Sequence, residues 1–187
     1  MADKLNHPEY VTTGKPKVGG AVFRAPLGTE LPKDAVTALD AAFKCLGHCS
    51  DDGLKNKDAI SSGSVKAWGG YTIHHYQDGK SDAFQFKLVE ALNVEALKAV
   101  YGDENVTGDL VTGIHIQSTG QEHEDCAWVV DMIHGAYAKR IVVPCAKVTE
   151  VAEIAYQDNA VVGYNTTISA SPDENGVYHH EYIAKKA

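Results

Sequence analysis

The sequence is short of every signature that announces an enzyme. It holds no GxSxG elbow, no HExxH, no P-loop and no GxGxxG. These absences remove the common hydrolase, metallopeptidase, nucleotide and dinucleotide readings. Gly19-Gly20 and Gly69-Gly70 are lone pairs with no following helix, so they do not read as phosphate cradles. Long apolar runs are missing too: no segment approaches the roughly 18 residues of a membrane span. The opening MADKLNHPEY lacks the apolar core of a signal peptide, so synthesis and residence in a cytosol are expected. Cysteine is scarce, with Cys45, Cys49, Cys126 and Cys145 and no CxxC. In a cytosol these are expected as reduced thiols. Cys45 and Cys49 flank His48, but a structural zinc site takes four ligands as two close pairs, so small buried thiols are the expected reading. Basic residues are also the minority: 17 Lys and Arg face 25 Asp and Glu, a net charge of −8. An acidic chain repels phosphate and disfavours DNA binding through counterion release.

What is present points to strands. A chain of 187 residues is expected to form one domain with an ample core. Residues 1–18 are polar and carry Pro8, Gly14 and Pro16, which reads as an arm without a core of its own. GAVFRA (Gly20–Ala25) reads as a first strand. Asp34–Leu46 stays open between helix and strand: Val36, Leu39, Phe43 and Leu46 have helical spacing, but so short a run yields easily to tertiary pairing. Ser50–Ser64 is rich in Ser, Gly and Asp and reads as a long exposed loop or hairpin tip. Tyr71–Gln77 and Asp82–Glu90 flank Asp78-Gly79, a hairpin-turn dipeptide. Asn93–Tyr101 is the clearest helix, capped by Asn93, closed by Gly102, stapled by Leu92 against Leu97, and buried along Ala96, Leu97, Val100 and Tyr101.

After Gly108 strands are expected near 111–117, 126–133, 137–143, 147–157, 160–170 and 177–183, with turns at His134-Gly135, Asp158-Asn159 and Asn175-Gly176. Trp128, Val130 and Met132 should share one face, as should Tyr164, Thr166 and Ile168. The class is α+β, mainly antiparallel β, with one short helix closing an end of a β-sandwich or partial barrel.

Histidines are numerous, but the adjacent pairs His74-His75 and His179-His180 point to opposite faces of a strand. A mononuclear metal site from either pair is awkward. His115 with His123, or His75 with His179, could meet only across a sheet. One charge bias stands out. Between Glu90 and Asp125 the acids Glu90, Glu95, Asp103, Glu104, Asp109, Glu122, Glu124 and Asp125 are opposed only by Lys98. A solvated acidic face is the plain reading. The functional one is a surface that faces a polyanion without holding it.

AVFRAPLGTELPKDAVTALDAAFKCLGHCSDDGL (Ala21–Leu54) resembles the opening of major tail proteins of long-tailed, non-contractile phages. VKAWGG (Val65–Gly70) and FQFKLVEALNVEALKAVYGDENVTG (Phe84–Gly108) resemble the same family's middle. AWVVDMIHGAYAKRIVVPCAKVTEVAEIAYQDNAVVGYNTTISASPDENGVYHHEYI (Ala127–Ile183) resembles its end. No block is a catalytic signature; the specificity lies in their sum and order. The resemblance implies a non-enzymatic tail tube subunit without cofactors. Hexameric rings would stack into a hollow tube that conducts genome DNA, in a virion tail made in the host cytoplasm.

Partners would be a tape-measure protein, a tail terminator and tail initiator or baseplate proteins. The resemblance makes Ala21–Arg24 an early strand and Lys44–Ser50 extended. It assigns Ser50–Ser64 to contact between rings, with Asp51, Asp52, Lys55, Lys57 and Asp58 as its charged candidates. The acids between Glu90 and Asp125 become candidates for a lumen wall. A soluble β-barrel module for a small ligand is the alternative, since barrel mouths hold pockets.

Overall fold

The computed structural model describes residues 6–186. In chain order its strands are β1 (Lys15–Pro16), β2 (Val22–Pro26), β3 (Lys44–Cys45), β4 (Lys55–Lys66) and β5 (Thr72–Leu88). The helix α1 (Val94–Tyr101) follows, then β6 (Val106–Thr107), β7 (His115–Ile116), β8 (Cys126–His134), β9 (Tyr137–Val151), β10 (Tyr164–Ala170) and β11 (His180–Lys185). The fold is α+β and mainly antiparallel β, as the patterning implied. The main sheet has the order β3-β2-β8-β9-β10-β5-β4, with β1 added to β8 and β11 added to β9. β6 and β7 pair separately.

The main sheet bends along β9. The N-terminal half of β9 lies between β8 and β11; its C-terminal half, past Ala146, pairs only with β10 among the described residues. The bend brings the two halves face to face, so that Phe86 of β5 packs on Trp128 of β8 with ring centroids 5.9 Å apart. The Trp128 indole N–H donates to the Ala146 carbonyl at 3.0 Å, which satisfies the one polar atom of a fully buried ring. Between the halves lies the main core, with Phe84, Phe86, Leu88, Trp128, Val130, Val143, Tyr164 and Ile168. α1 closes one end of it with Ala96, Leu97, Ala99 and Val100. A second cluster on the reverse of β8, around Val129, Val142 and Ala127, is covered by Phe43 and the segment before it. β8 is therefore buried on both faces over Cys126–Asp131, which explains its unbroken apolar reading.

Several expectations need correction. Asp34–Leu46 is neither a helix nor a long strand: it is irregular, with only Lys44–Cys45 paired. Asp34 does cap, but it caps a turn, its carboxylate accepting from the amides of Val36 (2.7 Å) and Thr37 (2.6 Å) and from the Thr37 hydroxyl. Of the implied extended run Lys44–Ser50, only β3 and a bridge from Cys49 to Leu88 are strand-like, because Gly47 turns the chain with φ 82°. Asp78-Gly79 is not a turn. β5 runs straight through it, and Asp78 is an unpaired bulge residue opposite Ser61 and Ser62. The turn lies at Ala67–Gly70, where Gly69 and Gly70 take φ 104° and 89°. A type I′ turn at Asp78 would need positive φ at a non-glycine residue, and no described non-glycine residue has it. Ser50–Ser64 is accordingly not the hairpin's tip. Most of it is β4, one leg of a longer hairpin.

Past Gly108, the segment 111–117 yields only the two residues of β7. The two strands expected at 137–143 and 147–157 are one, β9, which passes Pro144 by a bulge opposite Ala127 and ends at Val151. α1 keeps its caps: Asn93 Oδ1 accepts from the Glu95 amide at 3.0 Å, and the Gly102 N–H donates to the Lys98 carbonyl at 2.9 Å. The staple is absent, because Leu92 points to solvent while Leu97 is buried. Of the N-terminal segment 1–18, residues before His7's neighbour Asn6 lie outside the described part; the remainder is exposed and touches the sheet through β1.

One buried ion pair ties the irregular segment to the sheet. Arg140 is fully buried and makes a two-pronged contact with Asp131, Nε to Oδ1 at 2.6 Å and Nη2 to Oδ2 at 2.9 Å. Its remaining nitrogen donates to the carbonyls of Asp34 (3.1 Å) and Thr37 (2.8 Å). Removing Arg140 would leave the buried Asp131 carboxylate with only the half-exposed Lys17, 3.3 Å away, against it. Arg140→Ala should lower unfolding free energy by about 3–5 kcal/mol in urea denaturation. Asp34 gives a pH signature. The Thr37 hydroxyl, then the Thr37 and Val36 amides, hold its carboxyl down at about 2, against an ordinary 3.8. A depressed carboxyl stabilises the fold fully above its unfolded value, and loses that contribution as pH falls through the folded one. Melting temperatures of the native chain and Asp34→Ala should therefore differ at neutral pH and converge as pH drops from about 4 towards 2.

Candidate functional site

Three of the four thiols are placed where thiolate chemistry is weak. Burial, and then neighbouring Cys45, pushes the Cys49 thiol up to about 11. Burial also raises Cys126 and Cys145. A thiol in that state is a poor nucleophile at neutral pH. The histidines disperse. His48 pairs with Glu90, and His179 with Asp82 at 2.5 Å rather than with His75. His123 sits in a cleft beside Arg24, and burial lowers its basicity. Among the described residues no three His, Cys, Asp or Glu side chains are grouped to hold a metal.

The eight acids lie on α1 and the connecting loops, with none on a strand of the main sheet. Asp103, Glu104, Glu122 and Glu124 line one cleft of about 330 Å³ together with Arg24 and His123. Arg24 forms an ion pair with Asp103, and Lys147 with Glu122. The Thr112 backbone and hydroxyl hold the Asp109 carboxyl below its usual range. Glu90 accepts from the His48 backbone and side chain and from Asn93.

The feature with no internal purpose is the hairpin of β4 and β5. Past Asp82, β5 loses β10 and pairs with β4 alone. Some ten residues of each leg, on the order of 30 Å at 3.3 Å per residue, thus project as a two-stranded arm. Nearly every arm residue is exposed, including the large apolar side chains Ile60, Val65, Trp68, Tyr71, Ile73 and Tyr76. A free two-stranded ribbon is marginal in water, but the base of this one is clamped. Asp82, fully buried, accepts from Asn56 Nδ2 at 2.6 Å and from His179. Asp58 meets Lys80 across the legs at 3.2 Å. Tyr76 lies across Gly63, where an added Cβ would stand 2.6 Å from its ring. Of the charged residues expected at the contact loop, Lys55, Lys57 and Asp58 lie on β4, whereas Asp51 and Asp52 occupy the turn that leads into it.

Below the arm, the sheet alternates cleanly. One face of β4, β5, β10 and the end of β9 is core; the other carries Lys55, Lys57, Gln85, Lys87, Asn165, Thr167, Ser169 and Lys147. No large apolar side chain interrupts this polar face. On its outer side β4 pairs with no strand among the described residues, and neither does β9 from Lys147 to Val151. These are open edges with unpaired backbone groups.

Among the described residues no helix is long and apolar enough to cross a membrane. No curated protein matches the sequence. Among solved structures the chain is similar to the tube-terminating cap of an anti-feeding prophage, at 8% identity over 99% of each chain and a TM-score of 0.44. The family model described as "Phage tail tube protein" matches residues 5–187. The chain belongs to the phage tail tube protein family, and is a structural component of a phage tail.

Proposed function

We propose that the chain closes into hexameric rings that stack into a tube and conduct DNA. The observation that carries this is the pair of open edges, β4 and the end of β9, on opposite sides of one four-stranded unit. Pairing the β4 edge of one copy with the β9 edge of the next satisfies both, and the operation closes on itself. Four strands per copy in a hexamer make a barrel of about 24 strands. At ~4.8 Å per strand its backbone circumference is roughly 115 Å and its diameter roughly 37 Å before tilt. The core side of each unit is already covered, so the polar face becomes the channel wall.

In this closure the wall is lined by hydroxyls, amides and Lys55, Lys57, Lys87 and Lys147, the last neutralised by Glu122. The acids Glu90, Glu95, Asp103, Glu104, Asp109, Glu124 and Asp125 then lie behind it or at its ends. An acid-lined channel is the competing assignment for the same residues. The arm, projecting along the strand direction, is the contact between rings. Tape-measure, terminator and initiator proteins would set the tube's length and ends, and synthesis would take place in the host cytoplasm.

Negative-stain microscopy of concentrated protein should show rings or tubes of uniform diameter. Replacing Ala59–Ser81 by a two-residue turn should leave a folded body, because the excised residues contribute almost nothing to the core. The same deletion should abolish tubes; normal tubes from it would refute the arm's role. Lumen charge is tested by DNA release. Lys55→Gln, Lys57→Gln and Lys87→Gln together should speed release at low salt and little at high salt. Glu95→Gln, Glu104→Gln and Glu124→Gln should leave it unchanged, whereas an acid-lined channel predicts the reverse.

A further inference from the structure

The arm ends on an indole with nothing over it: Trp68 is fully exposed, and Tyr71 and Ile73 beside it are 66% and 59% exposed. Its charge differs from that of the body. Within Ala59–Ser81 Lys66 and Lys80 face Asp78 alone, net +1, which leaves 15 basic against 24 acidic residues, −9, on the rest of the chain.

A complementary surface lies at the other end of the same strand. β5 runs from the arm tip to Leu88, and the chain then forms the wall of a shallow groove of about 680 Å³. Leu92, Leu110 and Val161 line it and are 67%, 66% and 69% exposed. Glu90 also lines it, Asp109 precedes Leu110, and no lysine or arginine is among the lining residues. Apolar side chains of this size grouped in the open, with an acidic rim, mark a contact surface. Leu92 is the residue whose expected packing on Leu97 does not occur, so it is available to a partner.

Position selects the occupant. Tip and groove terminate one continuous strand at opposite ends, so copies set head to tail along β5 present a basic aromatic tip to an acidic apolar groove. Resting on the reading that the arm joins rings, we propose that Trp68 of one copy seats among Leu92, Leu110 and Val161 of a copy in the next ring. Lys66, two residues from Trp68, is drawn to Glu90 and Asp109 at the rim. A buried tryptophan at the centre of a contact commonly dominates its energy.

The test uses the full chain with a benzophenone amino acid in place of Trp68, irradiated in assembled tubes and mapped by mass spectrometry. Cross-links should join position 68 to residues 89–93, 109–111 or 161–162 of another copy. Cross-links to other segments, or within one copy, overturn the inference while leaving the tube intact. A second variant, Leu110→Asp, should keep the native melting temperature, since the side chain is exposed, and raise the concentration needed for tubes roughly tenfold or more. Tubes at the unaltered concentration would overturn it as well. If the native chain forms no rings or tubes under any condition, the tube reading itself fails and this contact falls with it.

Discussion

A two-stranded β-ribbon has two faces and two edges, and it can bury none of them by itself. Much of this protein is arranged around that constraint. Past Asp82 the long hairpin has no third strand or helix over it among the described residues, and Tyr178 of the last loop reaches it at Lys80. Its apolar side chains, from Ile60 through Trp68 to Tyr76, lie in water. Cross-strand pairs such as Asp58 with Lys80, and Tyr76 laid over Gly63, give it internal order but no core.

The body is built in the opposite sense. β8 is buried on both faces, Trp128 has its indole N–H paired, and Arg140 uses its guanidinium on Asp131 and two loop carbonyls at once. A buried charge with so many partners fixes one arrangement of the segment around Asp34–Thr37 and tolerates few others. The clamp at Asp82 stands where these two regimes meet. Asn56 reaches it from β4 and His179 from the last loop, so the angle at which the arm leaves the body is set by buried hydrogen bonds.

The sequence showed the elements whose signals are local. Asn93 and Gly102 cap α1 as their chemistry predicts, and the alternation Phe84, Phe86, Leu88 against Gln85 and Lys87 separates core from polar face. The unbroken run of β8 was equally plain, and its hairpin turn falls one residue past the expected His134-Gly135, at Gly135-Ala136. What could not be read were choices between competing local signals. Two dipeptides could have turned the long hairpin; Gly69-Gly70 won because both residues tolerate positive φ, and Asp78-Gly79 became a bulge. Two strands were expected at 137–143 and 147–157, yet a bulge let β9 continue past Pro144. Asp34–Leu46 has helical spacing, but Arg140, distant in sequence, takes its carbonyls instead. The open edges and the Leu92 groove left no mark in the sequence, since both depend on what is not placed beside them. The expectation of a hairpin tip at Ser50–Ser64 gave way to a strand there, with the turn at Ala67–Gly70.

One uninterrupted strand, β5, links the bare indole at one extremity to the carboxylate-rimmed hollow at the other. Any filament made by repeating that link has polarity: its two termini are chemically unlike. One exposes a crown of basic aromatic prongs, the other a circle of acidic apolar seats. No single stopper can fit both, so starting and finishing such a filament are tasks for two different molecules.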